Sequence, residues 1–263
     1  MAKPETIASA ANPLIKDVRR AIGRGGLTSQ GWCVAETVHL LEEALRSRCQ
    51  VRQVLAAESA REQLPALDGI RLAMLPDALL QKISGTEASQ GVIALIEPPE
   101  WKLEQLFSGQ ALVVVLDGLQ DPGNAGAIVR AAEAFGASGA IFLKGTASPF
   151  NPKTLRASAG SLFRVPFLYG MDPGLAQAAF EENRVKVYAA VPTRAGAEVR
   201  TIAEADLTQD CALIIGNEGR GVSAEWRRLA EGVSVPTVAV ESLNAAVAAG
   251  ILLYEAHRQR SRP

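Results

Sequence analysis

The sequence predicts an α/β protein in two parts, a small N-terminal α/β domain and a larger C-terminal domain on a mostly parallel sheet. Three observations carry this. Continuous apolar runs at 111–116, 140–143, 185–191 and 211–215 have the β-rich character of strands buried on both faces. Helical patterns at 125–135, 175–182 and 245–258 separate or follow them, and alternation of strand and helix is the mark of a parallel sheet. The third is the break Glu97-Pro98-Pro99-Glu100, where consecutive prolines continue neither a helix nor a central strand. At roughly 150 residues per domain, 263 residues accommodate two modest domains. The boundaries predicted are 1–96, a linker at 97–108, and 109–263.

In the first part, Asn12-Pro13 followed by Leu14, Ile15, Val18 and Ile22 predicts a capped helix with proline in its first turn, ended by Gly23, Gly25 and Gly26. Residues 38–45 carry helical periodicity, with Leu40, Leu41, Ala44 and Leu45 on one side. Short strands are predicted at 52–56, 71–75 and 91–96.

Charge and composition exclude several function classes. Lys plus Arg number 27 against 28 Asp plus Glu, a net charge of −1, so nucleic-acid affinity has to come from a local patch. Residues 1–30 supply one, with Lys3, Lys16, Arg19, Arg20 and Arg24 against Glu5 and Asp17; Arg258, Arg260 and Arg262 make the tail basic. Three scattered cysteines, Cys33, Cys49 and Cys211, form neither a disulfide framework nor a zinc site, and are expected as small core residues. Two histidines, His39 and His257, are too few for a His-based metal centre, and His39 is expected to be structural. No metal is expected. The ten-residue apolar run at 245–254 is short of the about 20 residues that span a bilayer, and the N-terminus lacks the apolar core of a secretory signal. A soluble, cytoplasmic protein is the expectation. Trp32, Trp101 and Trp226 are expected at edges and interfaces.

Ligands of open α/β sheets collect at the carboxyl ends of strands. After 111–116 comes Asp117-Gly118-Leu119-Gln120-Asp121-Pro122-Gly123-Asn124, a Gly-containing loop entering a helix that also carries Arg130. It has neither the dinucleotide-binding G-x-G-x-x-G pattern nor the P-loop pattern, which counts against a nucleotide-dependent oxidoreductase. Taken alone it reads as a capped helix with a surface arginine. After 211–215 comes Gly216-Asn217-Glu218-Gly219-Arg220-Gly221, whose three glycines let backbone approach a ligand closely. The third loop ends Glu241-Ser242-Leu243-Asn244 and enters the last helix; Ser242 and Asn244 are both N-cap candidates.

Together the loops form a pattern that none of them makes singly. DPGNAGAIVRAAEAFGA at 121–137, IIGNEGRGV at 214–222 and VESLNAAVAAGILLYE at 240–255 resemble, in that order, the three signature motifs of the SpoU/TrmH family of RNA ribose 2′-O-methyltransferases in the SPOUT superfamily. NPKTLRASAGSLFRVP at 151–166 resembles the family segment between the first two motifs. NPLIKDVRR at 12–20, GWCVAETVHLLEEAL at 31–45 and TEASQGVIAL at 86–95 resemble the accessory RNA substrate-binding domain of many members.

The resemblance implies a C-terminal domain tied in a deep trefoil knot, a feature nearly absent from other proteins. It implies S-adenosylmethionine as cofactor and a homodimer through the C-terminal domain, each site borrowing residues from the partner. RNA is the implied substrate, ribosomal rather than transfer RNA, because the tRNA-specific branch usually lacks the N-terminal domain. It places Val191, Pro192, Gly216, Val235 and Leu243 where the cofactor is held. It makes Arg130, Asn124, Glu218, Ser242 and Asn244 the catalytic set, with Arg130 as base or phosphate aligner. Asn124 is expected to orient Arg130 or the substrate backbone, Glu218 to hold Arg130 or a catalytic water or to pair with a nearby arginine, and Glu133, three residues on, either to pair with Arg130 or to remain solvated. Lys16, Arg19, Arg20, Lys153 and Arg156 are the expected RNA contacts, with Arg164 also near the cleft.

Two positions depart from the family pattern. Thr237 stands where methionine is usual, in a cofactor loop one residue short. Thr37 stands where a glycine usually follows Glu36, so that position is expected not to need positive φ. The shortened loop is the one feature favouring the alternative reading, a non-catalytic RNA-binding or ribosome-assembly factor on the same scaffold.

Overall fold

The computed structural model describes residues 4–86, 89–192 and 199–261. Lys3, Arg262 and positions 87–88 of the 86–95 motif lie outside them. Two compact units form. One holds the described residues up to Glu100 together with Phe150–Phe163; the other holds Trp101–Pro149 and the described residues from Arg164 onward.

The first unit comprises β1 (Glu5–Thr6), α1 (Pro13–Arg24), β2 (Cys33–Glu36), α2 (Val38–Arg46), β3 (Val51–Ala57), β4 (Arg71–Leu75), α3 (Asp77–Ile83) and β5 (Val92–Ile96). Its five-stranded sheet has the order β1-β4-β3-β5-β2. Strands β3 and β4 are parallel, whereas β5 runs antiparallel to both β3 and β2. Helix α1 begins as its sequence dictates. Asn12 accepts the Leu14 N–H at 2.9 Å, Pro13 fills the first turn, and Gly25 ends the helix at φ 62°. Ile15, Val18 and Ala21 turn its apolar side to the core. The strand β2 lies outside the predicted elements, because CVAE is too short to show a period.

Thr37 corrects an expectation. It takes φ 156° and ψ 154°, a region where glycine is at ease, so the position does need positive φ. Its hydroxyl caps α2 by accepting the Leu40 N–H at 3.0 Å, a bond that glycine would not supply.

The second unit contains β6 (Leu112–Asp117), α4 (Pro122–Ala134), β7 (Gly139–Leu143), β8 (Phe167–Met171), α6 (Pro173–Glu182), β9 (Lys186–Ala190), β10 (Arg200–Thr201), β11 (Cys211–Gly216), α7 (Ala224–Leu229), β12 (Glu231–Ser234) and α8 (Ala245–Arg260). Between β7 and β8 in sequence lies α5 (Pro152–Ser158), which clusters with the first unit. Among the described residues seven strands align as β10-β12-β9-β11-β6-β7-β8, every pair parallel. The central β6 and β11 are buried almost throughout, as their apolar runs require. Trp226, expected at an edge, is instead 1% exposed in the core beside Phe180. Within the stretch 97–108, Leu103–Phe107 forms a 3₁₀ turn that buries Leu106 against Gly139.

Cys33 and Cys211 are buried, as expected of core cysteines, whereas Cys49 is only half-buried and departs from that expectation. His39 is exposed, so it is no core histidine.

Candidate cofactor and RNA site

The site lies at the carboxyl ends of β6, β9, β11 and β12, where the parallel sheet delivers its loops. The β11 loop is built first by its backbone. A Cβ on Gly216 would lie 2.1 Å from the Val222 nitrogen and 2.2 Å from the Gly221 carbonyl carbon, so only glycine fits. That closeness lets Asn217 and Gly221 bond each other's backbones, at 2.8 and 3.1 Å. The Asn217 side chain accepts the Gly219 and Arg220 N–H groups, each at 3.0 Å, and donates to the Gly118 carbonyl at 2.8 Å. Asp117 accepts the Ser223 N–H at 2.7 Å from the other end of the loop.

This framework aims Glu218 at the start of α4. Its Oε2 accepts the Gln120 N–H, and its Oε1 accepts the Asp121 N–H and the Asn124 Nδ2, all at 3.1 Å. Partial burial pushes the carboxyl up. The hydrogen bonds from the Asn124 side chain and the backbone of Glu218, Gln120 and Asp121 outweigh it, and the carboxyl titrates below its ordinary value. Asn124 in turn accepts from Asn244 Nδ2 at 3.1 Å. Asn244, not Ser242, is the N-cap of α8, accepting the Ala246 and Val247 N–H groups at 2.9 and 3.2 Å. Asn124, Glu218 and Asn244, separated by up to 120 positions, thus form one chain of hydrogen bonds.

Beside this chain opens a cavity of about 480 Å³. Val191, Pro192, Gly216, Val235 and Leu243 all line it, and so do Glu218, Ser242 and Asn244. Ala190, Val233 and Leu252 complete an apolar wall. The volume falls within the 300–1,000 Å³ typical of small-molecule sites. The shortened loop is closed by its own residue, since the Thr237 hydroxyl donates to the Val240 carbonyl at 2.6 Å.

Arg130 is exposed and has no hydrogen-bond or ion-pair partner among the described residues. Neither Asn124 nor Glu218 holds it. Glu133 pairs with Arg164, with Arg164 Nη2 donating to Oε2 at 3.0 Å, so the expected Arg130–Glu133 pair does not form.

In the first unit, Lys16, Arg19, Arg20 and Lys153 are exposed. Arg156 is placed differently. Its guanidinium pairs with Glu36, whose side chain is 4% exposed and also accepts the Ser84 hydroxyl at 2.8 Å and the Gly85 N–H at 2.6 Å.

Gln120, Asn217 and Asp117 escaped the sequence reading. The signal available was the position of Asn217 in a Gly-rich turn, where an asparagine side chain bonds backbone two residues on. Among the described residues no group of three His, Cys, Asp or Glu is arranged to hold a metal, and no helix is long and apolar enough to cross a membrane.

The SpoU rRNA methylase family model matches residues 111–254, and the MRM3-like substrate binding domain model matches residues 12–94. The chain is 35% identical over 250 residues to the 23S rRNA (guanosine(2553)-2′-O)-methyltransferase RlmP of Bacillus subtilis, covering 94% of this chain and 97% of that one. It is 38% identical over 208 residues to a 23S rRNA (uridine(2479)-2′-O)-methyltransferase of Streptomyces viridochromogenes, covering 76% and 71%. The crystal structure of the SpoU methyltransferase AviRb from Streptomyces viridochromogenes in complex with AdoMet superposes with a TM-score of 0.82 at 31% identity, over 95% of this chain and 98% of that one. An AdoMet-bound rRNA methyltransferase from Sinorhizobium meliloti gives a TM-score of 0.84 at 28% identity, over 97% of both chains.

Proposed function

Because the chain belongs to the SpoU rRNA methylase family, and is an S-adenosylmethionine-dependent RNA ribose 2′-O-methyltransferase, we propose that it modifies large-subunit ribosomal RNA in the cytoplasm and does so with the site just described. The observation that carries the reading is the Glu218–Asn124–Asn244 chain at the rim of the cavity lined by Val191, Pro192, Gly216, Val235 and Leu243. The 23S rRNA specificity of both relatives supports the substrate class.

The cavity fits the cofactor. Its apolar wall suits a purine ring, and Gly216, Gly219 and Gly221 in the lining have no side chain to cover their main-chain groups. When bound, S-adenosylmethionine supplies a methyl group already activated as a sulfonium. The chain's own residues then have two tasks, alignment of the 2′-hydroxyl and help with its proton. Glu218, Asn124 and Asn244 hold the motif loops in register, and Ser242 faces the same cavity with a free hydroxyl among the described residues. Arg130 is the phosphate fork. A free guanidinium is effectively always protonated, so a two-pronged grip on an RNA phosphate needs no change of state, whereas acting as base would.

Residues 1–96, joined by 97–108 to the methyltransferase domain at 109–263, are the RNA substrate-binding domain in this reading, and the first unit adds Phe150–Phe163 to them. Lys16, Arg19, Arg20 and Lys153 meet phosphates there, and Arg156 stands beside them with 26% of its side chain exposed. Val247, Ile251 and Tyr254 form an exposed apolar stripe on α8 at helical spacing, which supports a homodimer through this face. A trefoil knot is supported by the path from β11 past β9 to β12 and back to α8, which packs on α4 and β11.

The test is methyl transfer from radiolabelled cofactor to unmodified total RNA, fractionated into ribosomal and transfer RNA. Wild type labels the large-subunit ribosomal fraction at a site resistant to alkaline cleavage, and Arg130→Ala does not. Labelling of transfer RNA alone would overturn the substrate assignment. Full activity in Arg130→Lys would overturn the fork, since lysine keeps the charge without the planar geometry.

A further inference from the structure

We propose that Arg220 binds the α-carboxylate of the cofactor's methionine moiety. The inference rests on the cavity being the cofactor site. Two arginines line that cavity, Arg220 and Arg227, both exposed and neither ion-paired among the described residues. Three other arginines of this unit are ion-paired, Arg164 with Glu133, Arg200 with Glu231 and Arg258 with Glu255. The acids of the lining do not serve these two. Glu218 is engaged by Gln120, Asp121 and Asn124, and Glu241 forms no ion pair with either arginine among the described residues.

Arg220 differs from Arg227 in how its stem is held. Its backbone N–H is bonded by the Asn217 side chain at 3.0 Å. The following Gly221 closes the loop against Asn217 at φ 68°, and Gly216 seals the base with no room for a Cβ. Arg227 sits on the six-residue α7, anchored at its N–H only by the Ser223 carbonyl at 3.0 Å. A guanidinium on a fixed stem loses less freedom on forming a fork with a carboxylate. Ala190, Val191, Val233, Val235 and Leu252 make one apolar wall of the cavity, and the charged groups of the lining, Glu218, Arg220, Arg227 and Glu241, leave the arginines as the partners that match a carboxylate with a planar donor pair.

The test is calorimetry on the full chain with S-adenosylhomocysteine and with 5′-methylthioadenosine, which shares the adenosine and thioether but has no carboxylate. Arg220→Ala weakens S-adenosylhomocysteine tenfold or more and leaves 5′-methylthioadenosine within twofold; Arg220→Lys falls between; Arg227→Ala shows no selective loss. Equal weakening of both ligands would mark a loop defect and overturn the proposal. So would unchanged S-adenosylhomocysteine affinity in Arg220→Ala, or a selective loss found in Arg227→Ala instead. A wild type that binds neither ligand overturns the cofactor reading of the cavity, and the carboxylate assignment with it.

Discussion

Asn244 donates its side-chain N–H to Asn124 at 3.1 Å, across 120 positions of sequence. Because Asn124 passes its own N–H on to Glu218, it is the middle of the chain that joins all three motif loops. Substituting Asn124→Asp keeps its shape and its acceptor but removes the donor, and sets a second carboxylate against Glu218. A misplacement of about 1 Å in such a site costs about 100-fold in rate. We expect kcat to fall by about that factor while the melting temperature moves by only a few degrees. A variant with wild-type kcat would show that the chain of bonds is structural only.

Gly216→Ala tests the β11 loop. The added Cβ meets backbone at 2.1 and 2.2 Å, and backbone cannot rotate away as a side chain would. Overpacking of this kind costs about 1–3 kcal/mol and moves the loop. Urea unfolding is expected to register that loss, and calorimetry the loss of cofactor binding. Wild-type cofactor affinity in this variant would contradict the close approach of Gly216 to Val222.

Arg156→Ala leaves Glu36 nearly buried with only Ser84 and Gly85 as donors. Removing one partner of a buried pair costs about 3–5 kcal/mol, and the partial exposure of Arg156 places the loss at or below the lower end. Lys16→Ala, at an exposed position, is expected to leave stability within about 0.5 kcal/mol. It should instead reduce the salt dependence of RNA binding by about one in slope. Chemical denaturation and RNA binding at several salt concentrations separate the two roles. A large stability loss in Lys16→Ala would refute the division.

Burial pushes the Cys33 thiol up to about 12 and the Cys211 thiol up to about 11, from an ordinary value of 9.0. Both folded values are raised, so the folded state retains these protons where the unfolded chain releases them. The resulting stabilisation is complete below pH 9 and declines as pH rises from 9 toward 11 and 12. Thermal unfolding across that range should show the decline, and Cys33→Ala/Cys211→Ala should flatten it. Rapid reaction of these two thiols with a disulfide reagent at pH 7.5 in the native protein would contradict their burial.

Ile251→Asp places a charge in the middle of the α8 stripe formed with Val247 and Tyr254. Sedimentation is expected to show wild-type dimer and variant monomer, with methyl transfer lost in the monomer. A fully active monomer would sink the shared-site reading.

The parallel sheet was legible because β6, β7 and β11 are buried on both faces and so appear as unbroken apolar runs. The cap at Asn12 was equally legible, because the residue that starts the helix also satisfies its first N–H groups, whereas α4 starts at Pro122, three residues before the predicted pattern, with Asp121 as its cap. β12 was not. EGVS has no apolar run, and its place between β9 and β10 comes from pairing alone. The motif residues were legible as types, but not their partners. Glu218 had Arg130, a water or a nearby arginine as expected partners and instead holds the α4 entrance through Asp121 and Asn124.

By itself the sequence determined the two-part α/β organisation, the start of α1 at Asn12-Pro13, and the family through three ordered motifs. Those properties depend on local patterning and on residue types that survive without knowledge of their neighbours. Only the tertiary structure decided that Arg130 stands free among the described residues, that Arg156 is tied to Glu36, and that Thr37 accepts positive φ to cap α2. It also decided that residues 150–163 cluster with the first unit. Each of these turns on which charges and hydrogen-bond groups meet after long stretches of chain close on one another, and no spacing along the chain encodes that distance.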